Sequence, residues 1–406
     1  VPPVFEPEKE TPEKKIPKEV QITGIPKVVK TPKSVTAPKQ ELPKISVDIP
    51  KSRKIFDFYG SVCTIQYSDD MVFKLKSVNE AEIANVWGML SNGISNQWLN
   101  DCMTARINYN LCDWAYFKYT EKAAESIFGK SNEATLLQAF TMIQSGYKMR
   151  LGKVGEKLCV FMPSEDIMYS YSYVPMDGLK YYAITDDRSS GVYIFDATFP
   201  EEHLFSLSIS QPNLTVAPSE AKVFKSRAYS NLSVELSSNK NLIDFYNEFP
   251  RNSSWELLSK ASLSESVKGK LYPVLREQVK GKSQEEAANI LINFVQTAFK
   301  YQTDGEQFGY ERPLFGDELF FYPYSDCEDR SILYSILVRE ILKLDVVFLH
   351  YEGHLATAVK FTEDVKGDYL TFEGDKYLVC DPTYINAHIG LTMPQYVGKP
   401  VSIIKI

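Results

Sequence analysis

The sequence predicts an α+β protein built on a repeated helix-then-meander unit, with antiparallel strands following each helix. Three observations predict it. Apolar residues recur at helical spacing in "NEATLLQAFTMIQSGY" and in "EDRSILYSILVREILKL". Each helix is followed by short alternating runs separated by Gly, Asp or Pro, the pattern of a strand meander. "SNEATLLQAFTMIQSGYKMRL" also lies over "SDCEDRSILYSILVREILKLDVVFL" with two or three residues of offset, which predicts a diverged internal duplication.

The 406 residues suit two or three domains rather than one small core. Residues 1–55 hold ten of the 22 prolines, spaced among Lys, Val and Thr, and this density blocks both helix and sheet pairing. The segment is expected to be a disordered or extended spacer, either a plain tail or a stalk holding the rest away from a membrane or wall. Residues 56–190 carry the first helix and meander, with "KMRLGKV", "KLCVFMPS", "MYSYSYV" and "KYYAIT" as its strands. Residues 191–265 read as a β-rich connecting region through "GVYIFDATF", "HLFSLSIS" and "NLSVELS". Residues 266–406 form the second unit. Its helix "SQEEAANILINFVQTAFKY" starts at Ser283 as N-cap, with Glu285 and Glu286 in the first turn, where the helix dipole favours them. The strands "DVVFLHY", "GHLATAVKF", "DYLTFEG" and "KYLVCDPTY" follow the later helix.

Charge is uneven. Residues 1–55 carry 12 Lys/Arg against 7 Asp/Glu, so the rest of the chain bears nearly all the acidity behind the net charge of −7. An acidic body gives no reason to expect nucleic acid as a partner. No run of about 18 apolar residues is present to cross a membrane. The chain opens on Val1, so an upstream signal or anchor is expected, and through it the one membrane link. The six cysteines are scattered with no CxxC pair, which suits free or buried thiols rather than a disulfide framework.

Among them Cys327, in "YSDCEDRSIL", stands at a helix start, where unpaired N–H groups stabilise a thiolate. Asp326, Glu328 and Asp329 act the opposite way. On its own the residue reads as a nucleophile, a ligand or a small structural side chain. His354, in "GHLATAV", begins a strand 27 residues on, and Asp381, in "VCDPTY", ends another 27 residues further. A helix N-terminus bearing the nucleophile, a base on one strand and an orienting carboxylate on the next suit thiol acyl transfer. The first copy has Asn132 or Glu133 near the cysteine position and no histidine from 56 to 202, so it is expected to lack this chemistry.

The ordered set Cys327 in "SDCEDRSIL", His354 in "GHLATAV" and Asp381 in "VCDPTY" resembles the transglutaminase-like superfamily, which has the papain-like fold. The likeness covers roughly residues 285–390 and, more loosely, a degenerate copy at 80–186. It is most similar to bacterial, Bacteroidetes-like envelope proteins, which implies a periplasmic or cell-envelope location, with cytoplasmic as the alternative. The resemblance implies that Cys327 attacks an amide or ester carbonyl, His354 moves the proton and Asp381 orients His354. Substrates would be peptides or proteins, with hydrolysis favoured over cross-linking. The sequence departs from the family in having Ser325 where a glycine or other small residue usually stands. Tyr324 and Gln302 are the candidates for the oxyanion site or substrate groove. No cofactor is expected.

Zinc is the competing reading. His350 and His354 are four apart, but they lie in a β-branched stretch, where such residues stand far apart along a strand. Cys380 and His388 complete no tight ligand pair, so no metal is expected. A rival from another class is a non-catalytic binding or scaffold protein carrying a relic triad.

Overall fold

The computed structural model describes residues 20–21 and 27–30 as strand backbone, then 51–169, 171–185, 191–196, 199, 202–251 and 254–406. Most of the proline-rich segment therefore lies outside the described residues. The chain divides into two compact units, Lys18–Thr215 with Glu248–Asn252, and Val216–Asn247 with Ser253–Ile406.

The first unit begins with strands β1 (Val20–Gln21) and β2 (Lys27–Lys30), each confined to a stretch without proline. A hairpin of β3 (Lys51–Phe58) and β4 (Ser61–Ser68) follows, so regular structure starts ahead of residue 56. Four helices come next: α1 (Glu80–Leu90), α2 (Asn96–Asn108), α3 (Asp113–Phe128) and α4 (Asn132–Gln144). The helix expected from "NEATLLQAFTMIQ" is α4. Ser131 caps it by accepting from the Ala134 N–H, and Gly146 follows its end at φ +90°. The meander is β5 (Arg150–Val154), β6 (Lys157–Ser164), β7 (Ser172–Met176), β8 (Leu179–Ile184) and β9 (Val192–Asp196). Its sheet runs β1-β7-β8-β6-β5-β9-β2, antiparallel throughout β5–β9, with β1 and β2 added in parallel.

"HLFSLSIS" departs from its expected strand. It makes a single bridge at His203, to Tyr147, and then runs irregularly. Its alternation has another cause: Phe205 and Leu207 are buried while Ser206 and Ser208 are exposed, so a period of two is satisfied without a partner strand.

In the second unit, β10 (Lys222–Lys225) and β11 (Ser233–Leu236) pair as a hairpin. Then come α5 (Lys240–Asn247), α6 (Trp255–Lys260), α7 (Glu265–Val279) and α8 (Gln284–Ala298). The stretch expected to be a β-rich connector is thus partly helical, because α5 and α6 fall within it. Ser283 caps α8 in a reciprocal capping box with Glu286, as expected of that stretch. Short elements β12 (Lys300–Tyr301), α9 (Asp304–Gln307) and β13 (Tyr324–Ser325) lead into α10 (Cys327–Leu337). Every residue of α10 is buried. Ile332, Leu333, Ile336 and Leu337 alone supply about 1.5–3 kcal/mol each by leaving water. Strands β14 (Asp345–Tyr351), β15 (His354–Lys360), β16 (Tyr369–Phe372), β17 (Asp375–Cys380) and β18 (Ser402–Lys405) follow, in the order β16-β17-β15-β14-β18. All four pairings are antiparallel.

The two sheets share one connectivity. Counting strands from the helix, the third lies beside the fourth, the fourth beside the second, the second beside the first and the first beside the fifth. This holds for β5–β9 after α4 and for β14–β18 after α10.

Candidate active site

Cys327 is the first residue of α10, with Asp326 as its N-cap. Asp326 and Asp329 form a capping box: the Asp329 carboxylate accepts from the Asp326 N–H at 3.1 Å. Its other oxygen accepts from the Leu314 N–H at 2.7 Å, which ties the preceding loop to the helix start. Arg312 pairs with Glu318 at 2.5 Å, and Arg330 donates to the carbonyls of Gln296 and Phe299 and to Ser325 Oγ. Arg330 is wholly buried and lies under the Tyr301 ring, 5.3 Å from its centroid. Burial lowers its pKa, while Tyr301, Asp326, Asp329 and Cys327 offset this. The buried cation therefore acts electrostatically on the thiol and favours its ionised form.

His354 opens β15. A two-residue turn, Glu352–Gly353, joins it to β14, and Gly353 takes the φ of +74° that such a turn needs. The His354 Nε2 lies 2.8 Å from Asp381 Oδ2, and both side chains are buried. Asp381 follows the last residue of β17, and its other oxygen accepts from the Thr383 N–H at 2.9 Å. The His354 ring stacks on Tyr396, with centroids 4.8 Å apart and planes within 9°. The loop after Asp381 is held by Gln296, whose amide nitrogen donates to the carbonyls of Asp381, Tyr384 and Ala387. Helix and strand are joined by Ser331, one turn beyond Cys327, which donates to the carbonyl of Leu355 at 2.8 Å. Cys327 and His354 thus sit on neighbouring backbone segments.

The Cys327 sulfur hydrogen-bonds Glu328 Oε2 at 3.0 Å. Carboxylates crowd this end of α10. Asp304, Glu311 and Glu328 bring oxygens within 4.8 Å of one another, as do Asp304, Asp326 and Asp329, and Asp326, Cys327 and Glu328 do the same with the sulfur. These sets have the donor types to hold a cation. Burial first, then the charges of Asp329 and Glu328, hold the Asp304 carboxyl well above the usual range.

Tyr324 and Gln302 lie where a parallel ladder puts them. Lys300 faces Tyr324, Tyr301 faces Ser325, and the Gln302 N–H reaches the Ser325 carbonyl at 3.4 Å, so Gln302 comes abreast of Asp326. The zinc pairing loses its geometry. His350 faces Leu355 and Tyr351 faces His354, which turns His350 and His354 to opposite sides of the sheet. Cys380 is fully buried, and burial raises its thiol pKa far up. His388 lies 3.1 Å from Asn289. His203, in the first unit, packs against Tyr147 with ring centroids 4.3 Å apart and planes tilted by 52°.

In the first unit the corresponding positions are Asn132, the first residue of α4, Lys157, the first of β6, and Thr185, just after β8. Asn132 accepts from the Leu158 N–H and donates to the Glu156 carbonyl, an amide clamp between helix and strand.

Sequence reasoning missed Glu328 as the thiol's partner, and also Arg330, Gln296, Ser331 and Tyr396. Only the run "CEDR" carried a local signal, because it places Glu328 and Arg330 within one turn of the thiol. No protein-family profile, no curated protein and no solved structure matches the chain.

Proposed function

We propose that this chain performs thiol-dependent acyl transfer on a peptide or protein substrate, through Cys327, His354 and Asp381 in a transglutaminase-like, papain-like second unit. The first unit would be a degenerate copy of the second, as their shared strand order suggests. The observation that carries the reading is the buried His354–Asp381 pair on strands next to the helix that Cys327 opens. With Nε2 turned to Asp381, Nδ1 is the nitrogen to take the thiol proton. The sulfur then attacks the carbonyl carbon, and the amine leaves with the proton returned by His354. Water, deprotonated by the same imidazole, hydrolyses the thioester and regenerates the thiol. The Cys327 N–H, with Gln302 or Tyr324, would face the oxyanion. Hydrolysis is favoured over cross-linking, in a bacterial envelope setting.

The test is to profile wild type and Cys327→Ala against peptide libraries with and without amine acceptors. Equal activity in both would sink the catalytic reading, and an amine-dependent product would replace hydrolysis with cross-linking.

One observation favours a second reading, a non-catalytic binding or scaffold protein. The thiol is bonded to Glu328 amid buried carboxylates, an environment that opposes a thiolate. Alkylation of Cys327 no faster than that of the other thiols near neutral pH would select it.

A further inference from the structure

The three positions that match the triad in the first unit, Asn132, Lys157 and Thr185, all line one cleft of about 430 Å³. That volume falls in the range of small-ligand sites. Its walls are charged, with both signs. Glu121 and Glu125 lie one turn apart on α3 and line one wall, while Lys130 and Lys157 line the cleft from the approach to α4 and the start of β6. Lys118 pairs with Glu121. Among the described residues, Glu125, Lys130 and Lys157 have no ion-pair partner. Gln138, only 5% exposed, also lines the cleft. Its amide nitrogen donates to the Phe117 carbonyl.

We infer that this cleft binds a short peptide with a free amino and a free carboxyl end. Glu125 takes the ammonium end, and Lys157 with Lys130 takes the carboxylate. An apolar ligand has little to meet, since Ala134 and Leu158 are the apolar side chains on the lining. This inference rests on the cleft and its lining, not on chemistry at Cys327.

Trialanine is the probe, titrated calorimetrically into the full-length chain carrying Cys327→Ala, so that no peptide is consumed. Saturable binding is expected. Glu125→Gln should weaken it about tenfold, and N-acetylation of the peptide should remove that difference; Lys157→Gln and C-amidation should behave the same way at the other end. Both side chains reach solvent, so matched thermal unfolding confirms that the variants fold. Absence of saturable binding, or binding that neither substitution weakens, overturns the proposal. Alkylation of wild-type Cys327, measured separately, reports on the catalytic reading alone.

Discussion

Ser331 Oγ donates a 2.8 Å hydrogen bond to the Leu355 carbonyl, joining α10 one turn beyond Cys327 to β15 one residue beyond His354. The bond spans the two elements that carry the candidate nucleophile and base. It is buried, so its loss leaves the Leu355 oxygen without a compensating water. Ser331→Ala should lower stability by about 1 kcal/mol in urea unfolding. If the clamp sets the thiol–imidazole geometry, turnover should fall more than substrate affinity does. Unchanged turnover in a destabilised variant would make the clamp purely structural.

The thiols should separate by reactivity. Burial raises the pKa of Cys63, Cys102 and Cys380, and pushes Cys112 up to about 11. Cys327 differs from them in opening a helix and in having the buried Arg330 cation act on it. Mass-spectrometric mapping after brief iodoacetamide treatment near neutral pH should find Cys327 labelled first.

Asp381→Asn keeps the shape but loses the charge that favours imidazolium at His354. Acyl-transfer turnover should drop by about 10²–10⁴-fold, with little change in the unfolding midpoint. An equal drop in thermal stability would show that Asp381 mainly anchors its loop.

Asp304 carries a pH signature. Its folded pKa is raised above the unfolded value, so the native state keeps a proton that the unfolded chain releases. Stability from this site is therefore greatest below the unfolded pKa and falls as pH rises towards the folded one. Asp304→Asn retains an oxygen for the Arg312 N–H, which now bonds Asp304 at 2.6 Å. The melting temperature should rise by about 2–4 °C near pH 8 and match wild type near pH 4. Melting curves displaced equally at both pH values would point to packing rather than ionisation.

Gln296 holds three carbonyls with one amide nitrogen. Gln296→Leu strands those oxygens and should cost about 1–3 kcal/mol. Hydrogen exchange should rise in the segment that follows Asp381, and uniform protection there would refute the clamp.

Much of this was legible from residues alone. The helical spacing in "NEATLLQAFTMIQ" and "EDRSILYSIL", the cap Ser283 and the small turn before His354 depend on neighbours within a turn or two, which sequence displays directly. The order Cys327, His354, Asp381 was readable too, since each residue sits at an element boundary with its own local marks. By itself the sequence determined two helix-then-meander units and one candidate set of chemical residues. Tertiary structure decided that Glu328 meets the thiol, that Gln296 and Tyr396 hold Asp381 and His354 in place, and that Asn132, Lys157 and Thr185 share a cleft. These contacts join residues far apart along the chain. Periodicity states which face of a helix or strand is buried, and only the packing of sheet against helix states what that face meets.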